Sequence, residues 1–503
     1  MNITIYDGAR SIGGNKIYLE FDGKGIFFDF GINYKKMAEF YEEFLSPRPT
    51  RGIHDLLHLK IIPYLNIYRK DLIPSDVDIS SAPKLRVDAV FLSHAHLDHA
   101  GNVGLLDYRI PAIATPTTAA ILKAMRDVGG KIETEATYIT PRQNNDKDPR
   151  IIEAVDYRKS AFIGRDFLVA GSYSGELEEF WRDCPSSRKL EPGAIKPLEE
   201  AIDFEIKVYE VDHSIYGSAA CAVETSSGWV VYTGDLRTHG MFREKTENFI
   251  KEAKRLSPEV LIIEGTRAGR EEEGEKEESE ELVFETCLNA TLDEKGLVIA
   301  DFSPRNFERL DTFAEIARKA GRELVVLAKD AYVLEAVRYC NAEDRMKELL
   351  IYKELKAVKR KPKWEKEIEE KFEEKLVDPT EIARSPERFI LCFSFWDMKH
   401  LLDIKPDSGK YIYSSSEAYT EERVIDFLRL WNWLRFFNLE VEGFEIVEEN
   451  GKLLPKFHKG YHASGHASGS ELIRIIEEIE PEVLIPVHTE NPEFFRENFP
   501  ELF

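Results

Sequence analysis

The sequence has few of the features that mark secreted, membrane-spanning or disulfide-bonded proteins. Only five cysteines occur in 503 residues, widely spaced and without a C-x-x-C pair, which argues against a disulfide framework and a cysteine zinc knuckle. No run approaches the roughly 18 to 20 apolar residues of a membrane span, and the N-terminus has no basic and apolar leader. The sequence therefore predicts a cytoplasmic protein with no membrane segment.

Positive charge is also in short supply. Lys and Arg total 68 against 92 Asp and Glu, which gives a net charge of −24. The field of such a protein repels a polyanion, although it is screened within about 10 Å. A nucleic-acid substrate would therefore need a local basic groove or a bound divalent metal. The length and the 43% of hydrophobic residues predict two or three compact units.

The first part of the chain is predicted to be rich in β-strands. Apolar runs at 3–6, 16–21 and 25–30 are separated by Gly and Asp-Gly turns, and a second β-rich run covers 204–235. Residues 33–84 are less regular, with a helix predicted over 34–44, and could cover a nearby site.

The character of the chain changes after a short strand at 260–263. An acidic run at 270–281 is predicted to be a solvated boundary, and strands then alternate with helices from residue 296 onward. This order predicts an inserted parallel α/β unit. We divide the chain into 1–267, an inserted domain over 268–440, and a return segment over 441–503.

Two segments of the inserted domain have helical periodicity. Ile368, Phe372 and Leu376 recur at every fourth position, which predicts one amphipathic helix within 362–384. The aromatic stretch 431–437 could stack on RNA bases, but aromatic residues at helical spacing more often pack in a core.

The pattern His94-x-His96-x-Asp98-His99 directly follows a buried strand at 87–92. Three imidazoles and a carboxylate within six residues are ligands that suit zinc or a similar divalent metal. A solvent-facing histidine loop is the alternative, but it leaves the other histidines of the chain unexplained. The pattern therefore predicts a metal site at the end of this strand.

Further candidate ligands follow other apolar strands or lie in Gly/Ser loops: His213, Asp235, His462, His466 and His488. Together with the first pattern they supply enough ligands for two metals. Two neighbouring divalent ions can activate water and stabilise charge on a phosphoryl oxygen at the same time.

These motifs resemble the β-CASP branch of the metallo-β-lactamase-fold hydrolases, in a layout similar to the RNase J group. The first four family motifs are matched by Asp29, by His94, His96, Asp98 and His99, by His213, and by Asp235. The family's motifs A, B and C have similar residues here in Glu264, His466 and His488, in that order. The resemblance implies an αββα sandwich interrupted by a parallel α/β β-CASP domain, with the active site between the two.

The resemblance also implies roles for these residues. Two divalent metals are expected, zinc being favoured and manganese the alternative. One metal would be held by His94, His96 and His213, and the other by Asp98, His99 and His488, with Asp235 between them. The catalytic groups would be Asp98, His466 and Asp29, with Asp29 also supporting the ligands.

Other residues are expected to contact the substrate or to orient ligands. A phosphate beside the scissile bond would be held by His462, Ser464 and His466. Arg305 follows a strand and precedes a helix, so it could grip phosphate, although an ordinary strand-to-helix turn explains it equally simply. Glu264 and Glu490 are expected behind the ligands, with Glu490 fixing an imidazole.

The sequence favours a metal-dependent ribonuclease that hydrolyses RNA phosphodiester bonds in RNA processing or decay. His488 favours RNA, since related DNA-repair nucleases generally lack a histidine there. Thr489 in place of glycine and Glu264 in place of the usual aspartate leave exonuclease and endonuclease action open. A DNA nuclease, a small-molecule metallohydrolase and an inactive scaffold are the alternatives, and a homodimer is compatible with the sequence.

Overall fold

The computed structural model describes residues 1–42, 44–269, 278–303, 305–340, 344–415, 421–449 and 451–503. Within these ranges the chain forms a sandwich of two sheets, a separate parallel sheet and three smaller sheets. None of the helices in the described ranges combines the length and the apolar character needed to cross a bilayer.

The chain up to residue 264 supplies most of the sandwich. Its strands and helices, in order, are β1 Asn2–Asp7, β2 Lys16–Phe21, β3 Lys24–Phe28, α1 Tyr34–Ala38, α2 His54–His58, β4 Ala89–Phe91, α3 Leu97–Ala100, β5 Ala112–Ala114, α4 Pro116–Val128, β6 Tyr138–Ile139, β7 Arg142–Asn144, β8 Ile152–Ala154, β9 Phe162–Gly164, β10 Phe167–Val169, α5 Gly175–Arg182, β11 Leu190–Glu191, β12 Ile195–Pro197, β13 Ile206–Glu210, β14 Ala219–Thr225, β15 Gly228–Tyr232, α6 Arg243–Leu256 and β16 Val260–Glu264.

A second segment forms the parallel sheet and its helices. Its elements are α7 Glu280–Leu292, β17 Leu297–Asp301, α8 Phe307–Ala320, β18 Glu323–Val326, α9 Ala328–Arg338, β19 Leu349–Tyr352, α10 Lys363–Lys371, β20 Leu376–Val377, α11 Pro379–Arg384, β21 Phe389–Cys392, α12 Leu401–Ile404, β22 Gly409–Tyr413, α13 Glu421–Phe436 and β23 Leu439–Glu442. The chain ends with β24 Phe444–Glu449, β25 Lys452–Phe457, α14 Gly469–Ile479, β26 Val483–Val487 and α15 Pro492–Asn498.

The sandwich consists of a seven-stranded sheet in the order β1-β2-β3-β4-β5-β10-β12 and a five-stranded sheet in the order β13-β14-β15-β16-β26. Strand β14 shows why both faces of the second sheet are covered. Its Cys221 and Val223 pack toward the first sheet, whereas the alternate residues Ala220 and Ala222 pack against α6 and α14. An apolar run covered on both faces is the pattern of a central sandwich strand. The predicted αββα fold class is confirmed.

The inserted unit is a seven-stranded sheet in the order β20-β19-β18-β21-β17-β22-β23, and all its paired strands are parallel. One face packs against α12 and α13, and the other packs against α7, α8 and α9. Helix α9 also contacts α4 of the sandwich, so one apolar core runs through both units. The predicted parallel α/β architecture of this region is confirmed.

The return segment completes the sandwich through β26. This strand pairs in parallel with β16, with Glu264 opposite Val487. The hairpin of β24 and β25 lies before it, and Phe444 and Phe457 of the hairpin pack with Phe427 of α13. The domain boundaries at 267 and 440 stay predictions.

Two local predictions were wrong in extent. The helix expected over 34–44 ends at Ala38. The single helix expected within 362–384 is broken: α10 ends at Lys371, and Leu376 and Val377 join the edge of the sheet beside β19. Pro379 then begins a new helix, because proline is favoured in the first turn and disfavours helix in the residue before it.

The irregular segment 33–84 is part of the core. Ile53, Leu65 and Leu72 are almost completely buried within the apolar cluster on the outer face of the first sheet. The aromatic stretch 431–437 also packs mostly inward, with Leu434 and Phe437 buried and Phe436 exposed. Most of the acidic run, residues 270–277, lies outside the described residues.

A buried network of charges joins the two units. Arg237 follows β15 and is fully buried; its Nε lies 3.2 Å from Asp212 Oδ1, and its guanidinium also pairs with Glu308 of α8. Its Nη1 lies 3.3 Å from Glu280 of α7, which in turn binds Arg309 of α8 at 3.0 Å. Each of the three carboxylates contacts one of the two guanidiniums, and burial raises the pKa of Asp212 and raises the pKa of Glu308 to about 7.

We expect Arg237→Met to destabilise the protein strongly, because it leaves Asp212 and Glu308 buried without their cation. Removing one partner of a buried pair costs about 3 to 5 kcal/mol, and this loss would lower the midpoint of urea unfolding. Arg255→Met is the matched control, since Arg255 forms a surface pair with Glu252. Equal midpoints for the two variants would contradict a stabilising role for the buried network.

Candidate metal centre

The predicted ligands meet because they follow strands that end at the same edge of the sandwich. Strands β3 and β4 are parallel in one sheet, and β15, β16 and β26 are parallel in the other. The carboxyl ends of parallel strands share an edge, so the loops after them converge. Those loops carry Asp29, His94, His96, Asp98, His99, Asp235 and His488.

The first ligand cluster consists of His94, His96 and His213. The His96 Nδ1 atom lies 3.0 Å from His94 Nε2 and 3.3 Å from His213 Nε2. These three nitrogens could hold one metal ion. Tetrahedral zinc at 2.0 to 2.1 Å from its ligands would place ligand atoms about 3.3 Å apart, so the spacing fits.

The second cluster consists of Asp98, His99 and His488. The His488 Nε2 atom lies 3.2 Å from His99 Nε2 and 3.4 Å from Asp98 Oδ2. Beside this cluster the backbone at Gly31 lies against the backbone at Asp98: a Cβ atom at Gly31 would be 1.6 Å from the Asp98 carbonyl oxygen. Only glycine fits at that point, which allows the Asp98 loop to pack against the strand end.

Asp235 lies between the two clusters. Its Oδ2 is 3.1 Å from His99 Nε2, 3.6 Å from His94 Nε2 and 3.8 Å from His213 Nε2. Its Oδ1 is buried and has no hydrogen-bond partner in the described part of the chain. A buried carboxylate oxygen without a partner is costly, and a divalent cation would satisfy it. The donor set therefore fits metal ions.

The charge state of the imidazoles also suits metal binding. Burial lowers the pKa of His94 and His96 well below the usual range and lowers the pKa of His213 to about 4. All three rings are thus neutral, the form that binds a metal. Burial would lower the pKa of His99 too, but the Asp235 and Asp29 carboxylates outweigh it and raise that pKa well above its usual range. The potential at this point favours a cation.

Asp29 lies behind the ligands, beyond His99. Its Oδ2 is 2.7 Å from His99 Nδ1 and accepts hydrogen bonds from Ser93 Oγ at 2.8 Å and Tyr232 OH at 2.6 Å. With Nδ1 directed at this carboxylate, His99 presents Nε2 to the cluster. Such carboxylate contacts fix the orientation of metal-binding histidines. The catalytic role predicted for Asp29 stays a prediction.

Glu264 and Thr266 support the opposite side of the site. The Glu264 carboxylate lies 3.1 Å from His466 Nδ1, and Thr266 Oγ1 lies 2.8 Å from His488 Nδ1. His488 therefore directs its Nε2 at Asp98. Burial would lower the pKa of His466, but the nearby Glu264 and Asp235 carboxylates raise it.

The site includes two residues with unusual backbone conformation. Asp29 and His488 have φ angles of 56° and 51°, in the left-handed region that non-glycine residues seldom adopt. Such strain costs about 1 to 2 kcal/mol per residue and is common at functional sites. Each residue turns sharply at the end of a strand, which aims its side chain into the site.

The loop that carries His462, Ser464 and His466 is fixed by contacts to the backbone carbonyl of Ser464. The Ser464 carbonyl oxygen accepts hydrogen bonds from Arg237 Nη1 at 2.8 Å and lies 3.0 Å from His239 Nε2. The pKa of His462 is lowered to about 3 by burial, with the charges of Arg309 and Arg237 adding to the effect. His462 is therefore neutral, and its Nδ1 has no hydrogen-bond partner among the described residues.

Arg305 and Glu490 occupy different surroundings. Arg305 lies close enough to Asp98 and His96 for their charges to interact, and its Nη1 is 3.4 Å from Met125 Sδ. Glu490 reaches outward and pairs with Lys35 at 2.7 Å. The side chain that fixes the neighbouring imidazole of His488 is Thr266, whereas the sequence had suggested Glu490.

Several supporting residues were not assigned a role from the sequence: Ser93, Tyr232, Thr266 and Arg237. A signal was present for three of them. Ser93 directly precedes the histidine motif, Tyr232 is the last residue of the strand before Asp235, and Thr266 lies two positions after Glu264. Arg237 had no comparable signal, because its partners Asp212, Glu280 and Glu308 come together only in the folded chain. The position of His239, four residues after Asp235, left a supporting role and an ordinary structural histidine equally open, and its Nε2 lies 3.0 Å from the Ser464 carbonyl oxygen.

Family models match two parts of the chain. Residues 75–241 match the metallo-beta-lactamase superfamily, and residues 453–497 match the Zn-dependent metallo-hydrolase RNA specificity domain. The first match includes His94, His96, Asp98, His99, His213 and Asp235, and the second includes His462, Ser464, His466 and His488.

Curated relatives match over longer stretches at low identity. Ribonuclease J from Pyrococcus abyssi is 22% identical over 497 residues, which cover 97% of this chain and 90% of the relative. Ribonuclease J from Mycoplasma genitalium is 23% identical over 97% of this chain and 68% of the relative. The match to ribonuclease J from Methanocaldococcus jannaschii covers 68% of this chain and 61% of that relative.

A solved structure has the same fold. A crystal structure of a protein of unknown function from Enterococcus faecalis V583 has a TM-score of 0.65 with 21% identity, covering 98% of this chain and 95% of the other. The chain therefore combines a metallo-β-lactamase superfamily domain with a Zn-dependent metallo-hydrolase RNA specificity domain, and it is similar in sequence to ribonuclease J along almost its whole length.

Proposed function

We propose that this protein is a metal-dependent ribonuclease that binds two divalent ions, with zinc favoured over manganese. The observation that carries the proposal is the pair of ligand clusters with Asp235 between them, 3.1 Å from His99 Nε2 and 3.6 Å from His94 Nε2. Similarity to ribonuclease J and to an RNA specificity domain supports RNA as the substrate. We infer RNA processing or decay as its role.

The accessible side of the site suggests where the substrate enters. The side chains of Asp98 and His466 are 26% and 22% exposed, whereas His94, His99 and Asp235 are buried. Substrate would therefore approach Asp98 and His466 first. Arg305 would hold a phosphate there through its guanidinium, whose planar fork matches phosphate oxygens.

Divalent ions in paired sites act as Lewis acids toward a phosphoryl oxygen and make water a stronger nucleophile at neutral pH. The pKa of Asp98 is lowered, because His99 and His488 outweigh the effect of burial, so the group is an ionised carboxylate at neutral pH. We infer that this carboxylate orients the attacking water and receives its proton. His466 is anchored through Nδ1 by Glu264, which leaves Nε2 to donate a proton to the leaving 3′-oxygen.

We also infer that the protein works in the cytoplasm. All five cysteines are free in the structure, which is compatible with a reducing compartment. A homodimer stays a prediction.

The metal proposal predicts two zinc equivalents per chain in purified protein, measured by elemental analysis. Removing them with a chelator should lower the thermal midpoint, because a ligand that binds only the native state stabilises it. Asp235→Ala should lose metal from both clusters, since Asp235 lies between them. Two bound zinc ions in Asp235→Ala would contradict this shared position.

Substitution of the accessible groups should abolish catalysis. We expect Asp98→Asn and His466→Ala each to lower kcat for RNA hydrolysis by at least about 100-fold, the range for a general acid or base. His58→Ala is the control, because His58 is exposed on α2. Circular dichroism and thermal midpoints would check that the fold is kept, and full activity of either site variant would refute its role.

The substrate proposal is tested with one RNA labelled at its 3′ end. It would be offered with a 5′ monophosphate, triphosphate or hydroxyl, beside a matched DNA and with Asp98→Asn as control. Shortening from the 5′ end that depends on its phosphate state would establish an exonuclease, whereas discrete internal products would establish an endonuclease. Cleavage of DNA alone, or of neither polymer, would overturn the proposal.

A further inference from the structure

A basic segment stands out on the inserted unit of this acidic protein. Six of the eleven residues 353–363 are Lys or Arg and only Glu354 is acidic, in a chain of net charge −24. The segment follows β19, and most of it is exposed. Its exposed apolar residues Leu355 and Val358 are 62% and 71% accessible.

The cations of this segment fall into two groups. Lys356, Lys361 and Lys363 pair with neighbouring glutamates. The remaining three have no ion-pair partner among the residues that the structure describes: Lys353, Lys359 and Arg360. Unpaired cations are the groups that can release counterions to a polyanion on binding.

The segment shares a sheet edge with Arg305. Arg305 follows β17 and the basic segment follows β19, and both strands belong to one parallel sheet. Their carboxyl ends therefore lie on the same edge. Three strand spacings separate β17 from β19, about 14 Å at the usual spacing of about 4.8 Å.

The loops between these two strands carry further cations and an aromatic ring. Lys329 lies just after β18 and is 3.6 Å from Asp397, while Lys399 lies after β21 and is 3.6 Å from Glu354. Trp396, in the same turn as Lys399, is 66% exposed. These contacts join the turn after β21 to the start of α9 on one side and to Glu354 of the basic segment on the other.

We propose that this edge is a binding track for single-stranded RNA outside the metal centre, made by the unpaired Lys353, Lys359 and Arg360 and by Trp396. This inference rests on the proposed ribonuclease function. The cations would contact successive phosphates, and the exposed indole would stack on a base, a combination typical of sequence-independent RNA binding. The track offers a local attraction where the field of the whole chain is repulsive.

The track has a length requirement. A short RNA that fills only the metal centre cannot reach β19, whereas a longer strand can contact both places. Binding at the track would therefore favour long, unpaired RNA over short products, and it would do so without changing the chemistry at the metals.

The test compares two triple variants on short and long RNA. Lys353→Gln, Lys359→Gln and Arg360→Gln remove the unpaired cations of the track. Lys60→Gln, Lys84→Gln and Lys251→Gln remove the same charge from exposed positions of the sandwich. Unstructured RNAs of about 4 and about 20 nucleotides bracket the site sizes of single-strand binders.

The track variant should weaken binding of the long RNA by at least about tenfold at low salt and reduce the slope of log affinity against log salt by about 2, from three lost phosphate contacts. Its loss in kcat/KM should be at least about tenfold larger for the long RNA than for the short one. A Trp396→Ala variant should weaken long-RNA binding without changing the salt slope.

Three results would overturn the track, and they are distinguishable from failure of the nuclease itself. If the two triple variants weakened long-RNA binding equally, the loss would come from total charge and not from a track. Equal losses on short and long RNA would place the effect at the metal centre. An unchanged affinity would leave the edge as a solvated surface. If the unsubstituted protein binds and cuts no RNA of either length, the proposed function fails together with the track.

Discussion

The structure depends on burying the Asp235 carboxylate among histidines while keeping its negative charge close to cations or hydrogen-bond donors. A carboxylate removed from water is tolerable only with cations or hydrogen-bond donors around it. Here one oxygen faces the imidazoles of both clusters, and the other lies 3.7 Å from His488 Nδ1 without a hydrogen-bond partner in the described part of the chain. The residues around Asp235 keep the histidine rings in place. Asp29, Ser93, Tyr232 and Thr266 fix the rings from behind, and two strained strand ends aim side chains inward.

The inserted unit is joined to this centre by charge as well as by apolar packing. Arg237 is the connecting residue, because its guanidinium contacts Asp212 beside the ligand His213, two glutamates of the inserted helices, and the carbonyl of Ser464. The loop that carries His466 is thus fixed by the same group that holds the two units together. A small shift between the units would therefore move this loop relative to His94, His96 and His213.

Much of the fold and the ligand set could be predicted from the sequence, because both depend on patterns of residues that are close together in the chain. The motif from His94 to His99 is contiguous, and β17 and β18 are bounded apolar runs with helices between them. The prediction went wrong where a nonlocal interaction outweighed periodicity: Leu376 has the spacing of a helix face but pairs with β19 at a sheet edge. Glu490 has a position suggestive of an imidazole partner; it pairs with Lys35, and its expected role stays a prediction. Thr266 could have been found from its alternation with Glu264, whereas the partners of Arg237 are known only once the chain has folded.

The pairing of β26 with β16 has a consequence for protein synthesis. His99 and His488 are 389 positions apart, and His488 reaches the second cluster only when β26 has added to the sheet. A nascent chain on the ribosome would hold His94, His96, His213 and Asp235 long before it holds His488. The second cluster therefore waits until the whole inserted unit and β26 have been made, and so does the contact between His213 Nδ1 of the first cluster and the Gly465 carbonyl oxygen. An unfinished copy of the chain therefore lacks part of its candidate metal centre, however well the first sheet of the sandwich has formed.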